Sequence, residues 1–378
     1  MTVSSHLPRR VLMTTDTIGG VWTYSLDLTR GLLAHGVEVV LATMGAPIHS
    51  RQREAVASLG PGIRLCESEF KLEWMDDPWR EVAAAGEWLL ALERDHCPDV
   101  IHLNGYAHAV LPWTAPTAVV AHSCVFSWWQ AVKGEPAPSG WALYHEAVRK
   151  GLQHAGVVLA PSRAMLAQVA RHYGLPGRAH VIYNGRDGDD TPALEKEPFI
   201  LSVGRLWDDA KNVAGLAAIA LRLSWPVRVA GDTRHPQGGG ISLLKVDLLG
   251  YRSMAELQDY YRRAAIYALP ARYEPFGLSV LEAALGGCAL VLGDIASLRE
   301  IWGSTALFVP PDDVEALHEA ITDLIVNPAL REALAVAARE RARTFTIERM
   351  TSGYLSAYGD LLAVAKRPGK TIHTPTFA

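Results

Sequence analysis

The 378-residue chain is 49% hydrophobic and 20% charged, a balance that excludes disordered, collagen-like and coiled-coil proteins and that suits two ordinary cores better than one. A formal net charge of -4 does not suggest the basic stripe that grips nucleic acid, so any anionic ligand has to be held locally. Cys66, Cys97, Cys124 and Cys288 form no C-x-x-C pair, which argues against a zinc knuckle or a disulfide framework and leads to the expectation of a reducing, cytoplasmic setting.

In chain order, MTVSSHLPRRVLMTTD has an apolar run too short for a signal-peptide core, and no later segment approaches the ~18 apolar residues of a membrane span. RVLMTTD is the first strand, followed by Gly19, Gly20 and the helical pattern VWTYSLDLTRGLLAHG. VEVVLATMG, DVIHLNG, TAVVAHS, GVVLAPS and HVIYNG continue the first set. A polar, aperiodic stretch, GRDGDDTPALEKEP (185–198), then interrupts the rhythm. FILSVGR, VRVAGD, VDLLGY, IYALPAR, ALVLGD and ALFVP form a second set, with helical patterns such as VEALHEAITDLIVN and TIERMTSGYLSAYGDLLAVA near the end. Short apolar runs alternating with helical stretches predict βα units and parallel sheets. The polar break predicts two doubly wound α/β domains, residues 1–187 and 188–346, because a sheet beyond ~10 strands tends to split, and a (β/α)8 barrel needs one unbroken cycle. The last stretch, KRPGKTIHTPTFA, reads as a loose tail.

Ligands of open α/β sheets sit beyond the carboxyl ends of the strands. The stretch RYEPFGLSVLEAALGG at 272–287 carries a loop with Glu274 and a helix from about Leu278 that Gly286 and Gly287 close. Amides around Phe276, Gly277 and Leu278 then lie at a helix N-terminus, where phosphate is favoured. Glu282, one turn in, is placed to accept from paired hydroxyls such as those of a ribose, and Glu274 from a second polyhydroxylated group. Taken alone, both glutamates read equally well as solvated positions. Arg205 follows FILSVG directly and Lys211 comes six residues later; such cations stabilise a departing diphosphate more than its ground state. Gly19 and Gly20 permit close backbone approach to a ligand, and the missing third glycine of G-x-G-x-x-G argues against NAD. Asp187-x-Asp189 has the spacing of a metal-binding Asp-x-Asp, but it lies in the linker beside Asp190, where acids are usually solvated, and no catalytic metal is expected. His102 and His108 at a strand end, and the seven tryptophans between Trp74 and Trp141, serve a cleft or ordinary packing equally well.

Together these pieces resemble a family 4 retaining glycosyltransferase (glycosyl transferases group 1). PFG-x-x-x-LEA-x-x-x-G, with Glu274 and Glu282 separated by seven residues, reproduces its signature, and DTIGGVWTY, AHS, LAPS, VIYNG and SVGRLWDDAKN follow its order. The resemblance implies the GT-B fold: two Rossmann-like domains facing a cleft, with a C-terminal helix, about 347–366, crossing back to the first. It implies that His122 contacts the transferred sugar near its 6-hydroxyl, that Arg205 and Lys211 bind the diphosphate, and that backbone near Tyr251 and Arg252 meets the nucleobase. The implied co-substrate is a nucleoside diphosphate sugar, UDP by default with GDP or ADP as alternatives, and no other cofactor is called for. The implied acceptor is a hydroxyl of a sugar, lipid, polyol or small metabolite, attacked with retention while the leaving phosphate takes the proton. A nucleotide-sugar 2-epimerase shares the fold, and a non-catalytic nucleotide-sugar-binding protein is the remaining alternative.

Overall fold

The computed structural model describes residues 7–175, 177–188, 194–234, 238, 240 and 245–365. The first sheet contains β1 (Arg10–Asp16), β2 (Glu38–Met44), β3 (Ile63–Cys66), β4 (Val100–Leu103), β5 (Thr117–Val120), β6 (Val157–Ala160) and β7 (Ala179–Val181). The second contains β8 (Glu197–Val203), β9 (Val227–Ala230), β10 (Asp247–Gly250), β11 (Ala264–Leu269), β12 (Ala289–Gly293) and β13 (Leu307–Val309). The orders are β3-β2-β1-β4-β5-β6-β7 and β10-β9-β8-β11-β12-β13, with parallel pairing inside both sheets.

Helices cover both faces of a parallel sheet, so its central strands are apolar throughout rather than alternating. Val11, Leu12 and Met13 of β1 are fully buried, as is every residue of β11. Each sheet accordingly separates two apolar layers. β3 is absent from the sequence expectations because IRLC is a short edge strand with an arginine inside it and only partial burial. The final helix, Ile347–Ala365, buries Met350, Tyr354, Tyr358 and Leu361 in a layer of the first sheet, beside the helix Gly20–Ala34. It therefore crosses back as the resemblance implies. Among the described residues no helix is long and apolar enough to cross a membrane.

The chain passes between the two sheets twice, and the passages run side by side. The Arg186 amide donates to the Phe345 carbonyl (2.8 Å), and the Ile347 amide donates to the Asp187 carboxylate (3.1 Å). A β-carbon on Gly185 would lie 2.0 Å from the Thr346 carbonyl oxygen, so only glycine permits this contact.

In each sheet the strand order reverses once, between β1 and β4 and between β8 and β11. Such reversals open a crevice at the carboxyl ends of the strands. The segments that leave β1, β4, β8 and β11 carry Gly19 and Gly20, Asn104, Arg205 and Glu274 respectively.

Candidate functional site

On the second sheet, Lys211 lies in a single turn Asp209–Lys211 after β8, and Glu274 in the loop after β11. Their side chains meet as an ion pair of 2.5 Å and are 14% and 13% exposed. The other Glu274 oxygen faces the Phe276 amide at 3.4 Å, and Ser297 Oγ donates to the Glu274 carbonyl. The helix Leu278–Leu285 starts at Gly277, whose φ of 91° is a left-handed conformation that glycine adopts without strain. Phe276 itself is core, leaving only its amide for the loop.

Arg205 is oriented by Asp208, whose carboxylate accepts from Arg205 Nη2 (2.7 Å), from the Ala210 amide (3.0 Å) and from Trp128 Nε1 (3.0 Å) of the first domain. The Arg205 and Lys211 charges keep Asp208 ionised against its burial, which leaves its carboxyl below the usual range. From the other side, Gly19 faces Arg205: a β-carbon there would lie 3.4 Å from Arg205 Nη1, and one on Gly20 3.8 Å from Leu278 Cδ1. The structure thus brings Gly19, Gly20, Arg205 and Leu278 together, with Lys211 and Glu274 one turn away along the same loops.

The first domain contributes a hydrogen-bonded chain centred on Asn104. Its amide nitrogen donates to the Thr14 carbonyl (2.7 Å) and to Ser25 Oγ (3.2 Å), which turns Asn104 Oδ1 toward two imidazoles. That oxygen accepts from His102 Nε2 (3.0 Å) and His122 Nε2 (2.8 Å). Both rings therefore carry their proton on Nε2, and His102 Nδ1 accepts from the Tyr358 hydroxyl (2.6 Å) of the crossover helix. His122 Nδ1 is left as an acceptor. Burial pushes His102 down to about 4 and His122 to about 3, His122 also by repulsion from the His102 charge. Both are neutral near pH 7.

A base whose folded pKa lies below its unfolded value contributes stability above the unfolded pKa, and this is lost as pH falls toward the folded one. Between about pH 6.5 and 5, wild type is expected to lose ~2 kcal/mol relative to His122→Asn, at ~1.36 kcal/mol per pH unit. Urea unfolding of both proteins across this range measures the difference; a constant gap contradicts the neutral imidazole.

Glu282 is not a solvated helix position. Its side chain is 9% exposed and lies 3.4 Å from Arg186 Nε, while Arg186 Nη1 reaches Asp27 at 2.7 Å. Arg186, Asp208, Asn104 and Asp16 are missing from the sequence expectations. Asp16 closes β1, its carboxylate accepts from the Ile18 amide (3.1 Å), and burial raises it to about 7. A small polar residue at a strand end was the available signal for Asp16 and Asn104; Arg186 and Asp208 carried none beyond lying beside a motif.

Tyr251 and Arg252 follow β10, next to the turn where the Gly231 amide donates to the Gly250 carbonyl (3.0 Å). Tyr251 is 53% exposed, and Arg252 folds onto the Tyr251 carbonyl (3.2 Å). His108 packs against the Val82 carbonyl. Trp74, Trp79, Trp88, Trp113, Trp128 and Trp141 are half-buried against the first domain's core, so most of the tryptophan cluster is packing. Asp187 caps the final helix, Asp189 and Asp190 lie outside the described residues, and no group of three metal-ligating side chains converges among the described residues.

Two parallel sheets whose crevices jointly hold a glycine loop, two cations and a carboxylate are the layout of a GT-B glycosyltransferase, an enzyme that transfers a sugar. Residues 18–190 match Glycosyltransferase Family 4 and residues 186–341 match Glycosyl transferases group 1, so the chain belongs to this family. It is 29% identical to a glycogen synthase of Mycobacterium tuberculosis over 280 residues, 67% of this chain and 66% of that protein, just under two thirds of the relative's length. The fold superposes on sucrose-phosphate synthase from Thermosynechococcus elongatus with a TM-score of 0.78 at 20% identity, covering 94% of this chain and all of that one. It superposes on Anabaena Alr3699/HepE, solved with UDP and glucose, with a TM-score of 0.69 at 15% identity, over 94% of this chain and all of that one.

Proposed function

We propose that the enzyme moves a sugar from a nucleoside diphosphate sugar, UDP by default, to an acceptor hydroxyl with retention at the anomeric carbon. The observation that carries this is the meeting of Gly19 with Arg205 while Lys211 and Glu274 pair at the start of the helix Leu278–Leu285. Arg205, Lys211 and the helix amides hold the diphosphate and stabilise the charge that grows as the bond from C1 to the phosphate oxygen breaks. The acceptor oxygen forms its bond to C1 on the face the diphosphate leaves, and its proton passes to the departing phosphate. His122 Nδ1 accepts a hydrogen bond from a hydroxyl of the transferred sugar, and Glu282 accepts from the ribose. UDP in the Anabaena neighbour supports the default donor.

Incubation with UDP-, GDP- and ADP-sugars and a mixed acceptor panel, read by mass spectrometry and by the anomeric proton coupling of the product, tests the reading. A glycosylated product with the donor's configuration is expected. Inverted product, or a free isomerised sugar without any acceptor, overturns it.

A further inference from the structure

The connection between the sheets holds a buried charge relay of which the reaction outlined above uses only Glu282. Arg186 is 12% exposed and reaches in two directions: Nη1 to Asp27 Oδ2 at 2.7 Å, and Nε to Glu282 Oε1 at 3.4 Å. Asp27, 4% exposed, belongs to the helix Gly20–Ala34 that begins at the glycine loop, and Glu282 to the helix Leu278–Leu285 of the other domain. One cation on the hinge thus joins a carboxylate from each domain.

Its placement is built. The Arg186 amide is held by the Phe345 carbonyl at 2.8 Å, Gly185 allows contact with Thr346 that no other residue fits, and Asp187 caps the returning helix. Asp27 has a second partner, Arg30 at 2.8 Å on the solvent side, so Arg186 is not needed to neutralise Asp27 alone. Glu282 has no other cation paired with it among the described ion pairs. Around it lie Asp27, the Tyr261 hydroxyl of the helix Met254–Arg263 and Tyr267 of β11, none of them positively charged.

We propose that Arg186 is a positioning residue of the donor site: from the hinge it holds the Glu282 carboxylate charged and aimed for the donor's paired hydroxyls, and Asp27 competes for it. This rests on the reading of Glu282 as the ribose-binding carboxylate. Burial holds the Glu282 carboxyl above its usual range, Arg186 draws it part of the way back down, and Asp27 pushes it up. A carboxylate left without its cation in such a place takes up a proton and accepts hydrogen bonds more weakly. The relay also makes the readiness of the second domain's carboxylate depend on a helix of the first, which couples donor binding to the arrangement of the two domains.

The test is calorimetric titration of the full-length enzyme with UDP, GDP and ADP at several pH values between about 5.5 and 8.5. For the nucleotide that binds tightest, Arg186→Met is expected to weaken binding ~10-fold or more near neutrality and to move the acid fall-off in affinity to higher pH. In turnover the loss falls on donor KM rather than on kcat, because Arg186 does not touch the reacting atoms. Arg186→Lys restores part of the affinity. Asp27→Asn moves the acid fall-off the other way, to lower pH, without weakening binding. A merely structural role predicts instead that Arg186→Met and Asp27→Asn both weaken binding with unchanged pH profiles, and that result overturns the proposal. Should Arg186→Met fail to fold in a thermal melt, the opposite shift in Asp27→Asn decides. If Glu282→Ala binds every nucleotide as wild type does, the ribose assignment itself fails; if Glu282→Ala loses affinity while Arg186→Met keeps its affinity and pH profile, only the role of Arg186 fails.

Discussion

Replacing Lys211 with alanine is expected to lower kcat/KM by ~10²–10³-fold, the usual effect of removing one preorganised donor from developing negative charge. The physical reason is local. Lys211 and Glu274 face each other at 2.5 Å with side chains 14% and 13% exposed, so neither charge has much water to fall back on. Without the lysine, Glu274 stays beside the helix start with its charge unopposed, repelling the diphosphate that the same place attracts. Loss of the cation and gain of a bare carboxylate act in the same direction. Adding Glu274→Gln to the Lys211→Ala protein removes the repulsion, and nucleotide affinity is expected to recover part of the loss. Initial-rate kinetics for the single variant and calorimetry for the pair measure both effects. Wild-type kcat/KM in Lys211→Ala sinks the assignment.

The second large effect is expected from a residue that has no side chain. Gly231 follows β9 with φ of 135°, and a β-carbon there would lie 1.8 Å from the carbonyl oxygen of Gly204, the residue before Arg205. The two loops are laced together by Gly204 N to Ala230 O (3.1 Å) and Leu206 N to Asp232 O (2.9 Å), so the clash has no soft side chain to absorb it. Gly231→Ala combines overpacking of ~1–3 kcal/mol with backbone strain of ~1–3 kcal/mol. The two together make ~2–6 kcal/mol, and at ~2–4 °C per kcal/mol the expected fall in Tm is roughly 4–24 °C. Because the relief available is movement of the Gly204–Arg205 backbone, kcat/KM is also expected to drop at least ~10-fold, since small misplacements of a positioning cation are costly. Differential scanning calorimetry and kinetics on one preparation give both numbers. An unchanged Tm contradicts the close approach.

The sites separate by the kind of physics that reveals them. Strands such as RVLMTTD and IYALPAR are legible because a strand buried on both faces has to be apolar along its length, and that is a local property. The helix start at Leu278 is legible for the same reason, being marked by Gly277 before it and Gly286 after it. Glu274, Arg205 and Lys211 follow directly from such elements, so their place at the crevice could be anticipated. Edge strand β3 could not, since IRLC is neither long nor wholly apolar.

Arg186 shows where local reading ends. It stands in a polar stretch that reads as solvated linker, yet its guanidinium is buried against Asp27, 159 residues away in sequence. Glu282 on its helix reads equally as surface or site until Arg186 and Tyr261 close over it. The protonation of His122 was likewise invisible, because it follows from the rotation of the Asn104 amide, which Thr14 and Ser25 hold. The sequence by itself determined the two parallel sheets and the residue types at each strand end, because periodicity and burial are set by neighbours along the chain, whereas the strand order that places the switch points came from the tertiary structure. Which charges pair, which imidazole nitrogen carries the proton and which glycines admit no side chain were decided only by the tertiary structure, because those depend on groups that folding alone brings within a few ångströms.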